Sequence, residues 1–281
     1  MPSQSPNEFV ITSSVRTEIV LQVDERPTPT DALLSAIDAS DSAVYDALST
    51  LRNRGLLTET AEGWELTAHG AIVADSVSAW QSTEAFLARD PEFWRNHQLD
   101  VIPSAFRRRL PTIGEYEIIR DTPQDPNRSE DVAISMLEAA DSCELTTPYY
   151  SRRHQEAIPT DPETRLLVTR EALDVSLQRY AAGHREELTA LDPENIRLTE
   201  CAFASVVTDE QLKFELPRLS RESTTHPTGS SAGESVTDTS AIFVSETDAA
   251  VQFGHDLFES LWVDSEPMGP YIEREFRELV E

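Results

Sequence analysis

Residues 8–70 read EFVITSSVRTEIVLQVDERPTPTDALLSAIDASDSAVYDALSTLRNRGLLTETAEGWELTAHG. Phe9, Val10, Val15, Ile19, Val20 and Val23 recur at three- and four-residue steps, which predicts a helix. Pro27 and Pro29 end that helix and set up the next. Thr30 suits the N-cap of a short second helix carrying Leu33, Leu34 and Ile37. Ser40 or Asp41 can cap a third, whose buried stripe is Val44, Leu48 and Leu51. Gly55 stands where a left-handed C-terminal residue belongs. Residues 56–59 and 64–67 alternate as two strands around a turn at Glu62-Gly63. Thr67 can cap a fourth helix, starting near Gly70 and carrying Ile72, Val73, Val77 and Trp80.

Three helices and then a small hairpin make a winged helix-turn-helix, an order that places one helix in a DNA major groove. The third helix is the candidate reader. Its outward positions are Ser42, Tyr45, Asp46, Ser49 and Arg52, with Arg54 near its end. Hydroxyls bond phosphates or base edges, and a guanidinium does both. The alternative is the same module used as a protein docking surface, without DNA.

Charge complicates the DNA reading. The net charge is −28, from 51 acidic and 23 basic residues, and the first 80 residues hold twelve Asp or Glu against four Arg. A nucleic-acid binder ordinarily carries a basic footprint. The chain has one lysine, Lys213, and its acidic residues are scattered through every segment. That pattern points to a halophilic archaeon, the alternative being an ordinary acidic cytosolic protein. In molar salt the Debye length is about 3 Å, so acidic groups repel DNA only at short range, and carboxylates favour solubility. Few Arg–phosphate contacts give little affinity there. Cations bridging carboxylate to phosphate, hydroxyl contacts and paired half-sites have to supply more.

A chain of 281 residues holds one or two domains. No apolar run approaches 18 residues, so no membrane span is expected. The start, MPSQSPNEF, lacks the basic and apolar parts of a signal peptide, and a cytoplasmic location is expected. Cys143 and Cys201 are too few for a disulfide framework and read as free thiols in strand contexts. The six histidines show no metal-ligand spacing with them, so neither metal nor cofactor is expected. Residues 70–110 read as a helical connector broken at Asp90-Pro91. Its Trp80, Phe86, Leu87, Phe93, Trp94 and Leu99 can pack against a second copy, giving a homodimer, or against the C-terminal half. Arg107-Arg108-Arg109 can touch phosphate or form an ion-pairing surface. The expected division is 1–75, 76–110 and 111–281.

The second half alternates strand and helix, which implies an α/β layer structure with a mixed sheet. Strands are expected near 116–119, 143–147, 165–169, 196–198, 203–207, 211–216 and 241–244. Helices are expected at 130–140, 171–180, 185–191, 248–262 and 270–280, with a polar loop at 220–239. The strand at 143–147 leads into Tyr149, Tyr150, Arg152, Arg153 and His154, a set suited to a small anionic metabolite. The alternative is tyrosines in the core and arginines paired with local carboxylates. Asp209, in the loop after Val207, is a second candidate or a plain hairpin turn.

The runs GLLTETAEGWELTAHG, SVVTDEQLKFELP and VSETDAAVQFGHDLFESLWVDSEPM carry a resemblance. The chain resembles archaeal winged-helix regulators whose C-terminal half is named after a methanogenesis and filamentation regulator. It is similar, more remotely, to TrmB-type regulators. The resemblance implies a phospholipase-D-like effector domain, cytosolic dimers and small-molecule control of transcription. The polar insertion at 220–239 departs from that pattern. Phospholipase-D chemistry needs a His and, two residues on, a Lys to attack and stabilise a phosphoryl group. Gln211 stands where that His belongs before Lys213, and no nucleophile elbow, Walker loop or dinucleotide fingerprint is present. The expectation is therefore a DNA-binding regulator and not an enzyme.

Overall fold

The computed structural model describes residues 4–181, 193–219 and 241–275. The expected helix at 185–191, the loop at 220–239 and residues 276–280 lie outside that set. The chain forms two compact units, Met1–Ala85 and Phe86–Glu281. The expected three-part division becomes two because Phe86, Phe93, Ile102, Phe106 and Leu110 bury themselves in the core of the second unit.

The first unit contains α1 (Pro6–Ile11), α2 (Ser14–Glu25), α3 (Thr30–Ala36), α4 (Asp41–Asn53), β1 (Leu57–Thr60) and β2 (Gly63–Leu66), and α5 (Ala68–Arg89) carries the chain onward. The predicted first helix is two helices. Thr12 closes α1, and the extended Ser13 caps α2 by accepting the Arg16 N–H. Adjacent hydroxyls that bond the backbone locally compete with continued helix, which is why apolar spacing alone missed the break. Thr30 sits inside α3 and not at its cap, because its hydroxyl accepts from Trp64 Nε1 at 3.0 Å. Ser40 caps α4, accepting the Ala43 N–H at 3.3 Å, and Gly55 is left-handed at φ 69°.

β1 and β2 pair antiparallel from Leu57↔Leu66 to Thr60↔Gly63, so the turn is Ala61-Glu62, one residue earlier than expected. Thr28 exchanges two backbone hydrogen bonds with Trp64, at 3.0 and 2.9 Å, and holds the hairpin to the helices. Gly63 makes that approach possible. It has φ 130°, and a Cβ there would lie 2.5 Å from the Thr28 carbonyl carbon. Val10, Ile19, Val20, Leu33, Val44, Leu48, Leu51 and Leu56 fill the core of this winged helix-turn-helix.

The second unit runs α6 (Pro91–Asn96), α7 (Ser104–Arg107), a 3-10 turn (Leu110–Ile113), β3 (Glu117–Arg120), α8 (Arg128–Ala139), β4 (Glu144–Thr147), α9 (Arg152–Ala157), β5 (Arg165–Val168) and α10 (Arg170–Ala181). It continues through β6 (Ile196–Leu198), β7 (Ala204–Val207), β8 (Leu212–Glu215), β9 (Ala241–Ser245), α11 (Asp248–Asp264), β10 (Glu266–Pro267) and α12 (Met268–Glu275). The strand order is β10-β6-β5-β4-β7-β8-β9-β3. β4, β5 and β6 run parallel, and every other pairing is antiparallel. This is the mixed sheet that alternation predicted. The elements α7, α9 and β10 were not anticipated, being too short to show a period.

Alternate residues along each strand face opposite ways, and each face has its own core. Val207, Leu212, Phe214 and Phe243 pack with Phe253 and Leu257 of α11 and with Phe86, Phe93 and Tyr116. Leu145, Leu166, Val206 and Ile242 pack with Met136 and Leu137 of α8 and Leu173 and Leu177 of α10. Asp90 ties the entering segment down. It caps α6 through the Phe93 N–H at 2.9 Å and pairs with Arg120 of β3 at 2.7 Å. The Arg120 hydrogen bond first, and the Phe93 N–H after it, hold the Asp90 carboxyl below its ordinary range despite its burial.

Candidate nucleic-acid interface

Helix α4 buries Val44, Ala47, Leu48 and Leu51 and leaves the opposite face open. Ser42, Tyr45, Asp46, Ser49 and Arg52 all lie on that open face and are exposed, Tyr45 by 54%. Steps of three and four residues set this alignment. Ser42 Oγ lies 3.1 Å from Ser40 Oγ at the helix start, so two hydroxyls stand together where the backbone N–H groups point outward. Arg52 reaches toward Glu59 of β1 at 3.5 Å, with both side chains more than half exposed. A contact that long and that wet is weak, so the guanidinium can turn to another partner.

Arg54 has a different job from the one expected of it. Its guanidinium lies 3.8 Å from the centre of the Phe9 ring and donates to the Gln4 carbonyl at 3.2 Å. Arg16 lies over the same ring at 4.1 Å and donates to the Phe9 carbonyl at 2.8 Å. Burial first, and the Arg54 charge second, lower the Arg16 pKa from its usual value. Arg54 fastens α1 to the end of α4, and Arg16 fastens it to α2. The hairpin adds Glu59, Glu62 and Glu65 and no basic residue. The open face therefore offers hydroxyls, a phenol and one available guanidinium, not a basic surface. Arg109, in the run of three adjacent arginines, pairs with Asp256 at 2.5 Å, which favours the ion-pairing alternative there.

The second candidate site comes apart along similar lines. Tyr149, Tyr150 and His154 line a cavity between β4, β5, β6 and helices α9 and α10. Arg152 and Arg153 point elsewhere: Arg152 pairs with Glu156 at 2.7 Å, and Arg153 with Glu130 and Asp131 at 2.5 and 2.6 Å. They satisfy carboxylates of an acidic surface. Asp209 sits at the opposite end of the sheet, because β7 runs antiparallel to β4 with Glu144 beside Val207. It lines a groove of about 570 Å³ with Asp131, Asp141, Glu210 and Gln211. Sequence reading missed Ala172 and Ser176, which α10 contributes to the cavity. Their spacing of four on one helix was the signal available.

Lys213 is buried on β8 with 2% of its side chain exposed, 3.2 Å from Glu215 Oε2. Tyr149 donates to the same oxygen at 2.6 Å. Burial lowers the Lys213 pKa, opposed by the Glu215 charge. Burial alone would raise Glu215, but Lys213 and the Tyr149 hydroxyl bring it below its ordinary range. Burial also raises Tyr149, keeping the phenol protonated as the donor. Both thiols are free, and burial raises Cys143 to about 12 and Cys201 to about 11, so neither is a nucleophile at neutral pH. Among the described residues no group of three metal-ligating side chains converges.

The chain is 23% identical over 256 residues to the methanogenesis regulatory protein FilR1 of Methanothrix harundinacea. That match covers 88% of this chain and 54% of the relative, so the chain spans about half the length of the curated relative it matches. Among solved structures, TrmBL2, described as an archaeal chromatin protein with a novel mode of DNA binding, aligns at 14% identity and a TM-score of 0.35, covering 90% of this chain and 93% of its own. The phospholipase D family member Nuc of Salmonella typhimurium aligns at 8% identity and a TM-score of 0.34, covering 54% of this chain and 97% of its own. Scores this low carry no argument, and the fold above rests on its own pairings. Residues 5–85, the stretch that holds α4 and the hairpin, match the family described as the HVO_A0261 N-terminal domain.

Proposed function

We propose that this protein is a DNA-binding transcription regulator that presents the open face of α4 to a major groove. The observation that carries this is the exposure of Ser42, Tyr45, Asp46, Ser49 and Arg52 on one side of a capped helix anchored behind a hairpin. The name of the similar FilR1 protein supports regulation. Tyr45 and the serines supply hydroxyl donors and acceptors for phosphates and base edges, and Arg52 supplies a fork for guanine or phosphate.

The acidity sets the conditions. The protein works in concentrated salt as a homodimer, two copies of α4 reading half-sites about one helical turn apart. Ile72 and Trp80 of α5, exposed by 68% and 43%, form the apolar stripe that a second copy covers. The second unit senses a small molecule and performs no catalysis, and the location is cytoplasmic. The protein-docking alternative predicts no DNA occupancy at all.

The test is genome-wide occupancy by immunoprecipitation in native salt, followed by binding to the recovered sites from half-molar to multimolar potassium chloride. Discrete promoter peaks and retained affinity support the proposal. Uniform background overturns it, and affinity that collapses steadily with salt overturns the salt-adapted mode.

A further inference from the structure

Between the parallel strands β4, β5 and β6 and helices α9 and α10 lies a cavity of about 80 Å³. Part of its lining is apolar, from Leu145, Leu166 and Ala172. The polar part is uncharged and includes Tyr149, Tyr150, Gln155, Ser176 and His154. No Arg or Lys lines it, and the two arginines at the start of α9 bind Glu156, Glu130 and Asp131 instead. The His154 Nε2 atom is buried and meets no hydrogen-bond partner among the described residues. Burial also lowers the pKa of that ring, which keeps it neutral at pH 7.

An anion entering here would lose its water and meet no Arg or Lys in the lining, a heavy penalty in an apolar site. The nearby Lys213 is already paired with Glu215. A hydroxyl or carbonyl would meet His154 Nε2, a buried nitrogen that lacks a partner among the described residues, as donor or acceptor according to the imidazole tautomer. We propose that this cavity binds a small uncharged molecule with an apolar body and a hydroxyl or carbonyl group that reaches His154 Nε2. Size agrees: an apolar cavity of about 150 Å³ takes a benzene ring, so this one encloses part of such a body and leaves the rest at the opening. The inference rests on the regulator reading for its purpose but not for its test, which uses no DNA.

The experiment titrates the full chain, isotope-labelled at histidine and tyrosine, with benzyl alcohol, benzoate and toluene, following ring resonances and thermal stability. Benzyl alcohol is expected to shift the His154 and Tyr150 signals saturably and raise the melting temperature, with benzoate roughly tenfold weaker. Ser176→Leu, which fills the space, abolishes the response. His154→Leu, which keeps the volume but removes the nitrogen, weakens benzyl alcohol roughly fivefold and leaves toluene unchanged. The proposal is overturned if benzoate binds as well as benzyl alcohol, if benzyl alcohol never saturates, or if the folded variants bind it like the parent. Should Ser176→Leu fail to fold, the His154→Leu comparison decides. Promoter occupancy is scored separately, so either reading can fail alone.

Discussion

At the scale of single residues, the two arginines that end α4 part company. Arg52 is tethered only to an exposed Glu59, so Arg52→Ala is expected to leave folding unchanged. It should cost about 1–3 kcal/mol at one operator position if it reads a base, or weaken all sequences evenly if it holds phosphate. Competition binding against operator variants separates the outcomes, and unchanged affinity removes α4 as the reader. Arg54 lies on Phe9, and Arg54→Ala should lower stability by about 1 kcal/mol without altering base preference. The Arg52 reading was available from helical period, which placed both residues near one face, but the Arg54 packing was not, because Phe9 is distant in sequence. Lys213 makes a harder case. Lys213→Met leaves Glu215 and Tyr149 without their cation and should destabilise the second unit by about 3 kcal/mol in denaturant melts. Restoring balance with Glu215→Leu should recover much of that loss, and if it does not, packing and not charge is the cause.

At the scale of elements, the hairpin depends on one backbone angle. Gly63 has φ 130° and no room for a Cβ beside Thr28. Gly63→Ala is expected to cost about 1–3 kcal/mol and to release the Thr28–Trp64 bridge, seen as faster amide exchange at Trp64. A cost below that range would mean that the hairpin reforms without Thr28. The elements of the first unit were readable because their stops are local: Pro27, Pro29, Ser40, Gly55 and Thr67 sit beside the helices and strands they bound. The second unit yielded its alternation but not its order. β3 lies beside β9, and β4 beside both β5 and β7, pairings set by long-range packing that four-residue strands do not encode. The cavity was half visible for the same reason. Tyr149, Tyr150 and His154 follow one strand, but Ala172 and Ser176 arrive on a helix whose docking no local pattern foretells.

At the scale of the whole molecule, acid should unfold the protein in two stages. Burial lowers the pKa of His97 and His154 from their ordinary 6.5. Their neutral forms therefore stabilise the fold fully above that value, and the contribution is lost as pH falls below it toward the folded pKa. Asp90, Glu215 and Asp256 are lowered too, so their contribution is present above their unfolded pKa, near 4, and lost as pH falls further. Thermal melts from pH 8 to 3 at fixed salt should show both declines, and a flat profile between pH 7 and 5 would rule out the imidazole part. The single lysine has a different consequence for anyone handling the protein. With its ammonium sealed inside the sheet, acylating dyes, crosslinkers and acetyl donors find no side-chain amine on the native surface. Covalent tagging at Lys213, read by mass spectrometry, thus becomes a clock for opening of the second unit. Its rate should climb with denaturant, and rapid tagging of native protein would mean that β8 breathes.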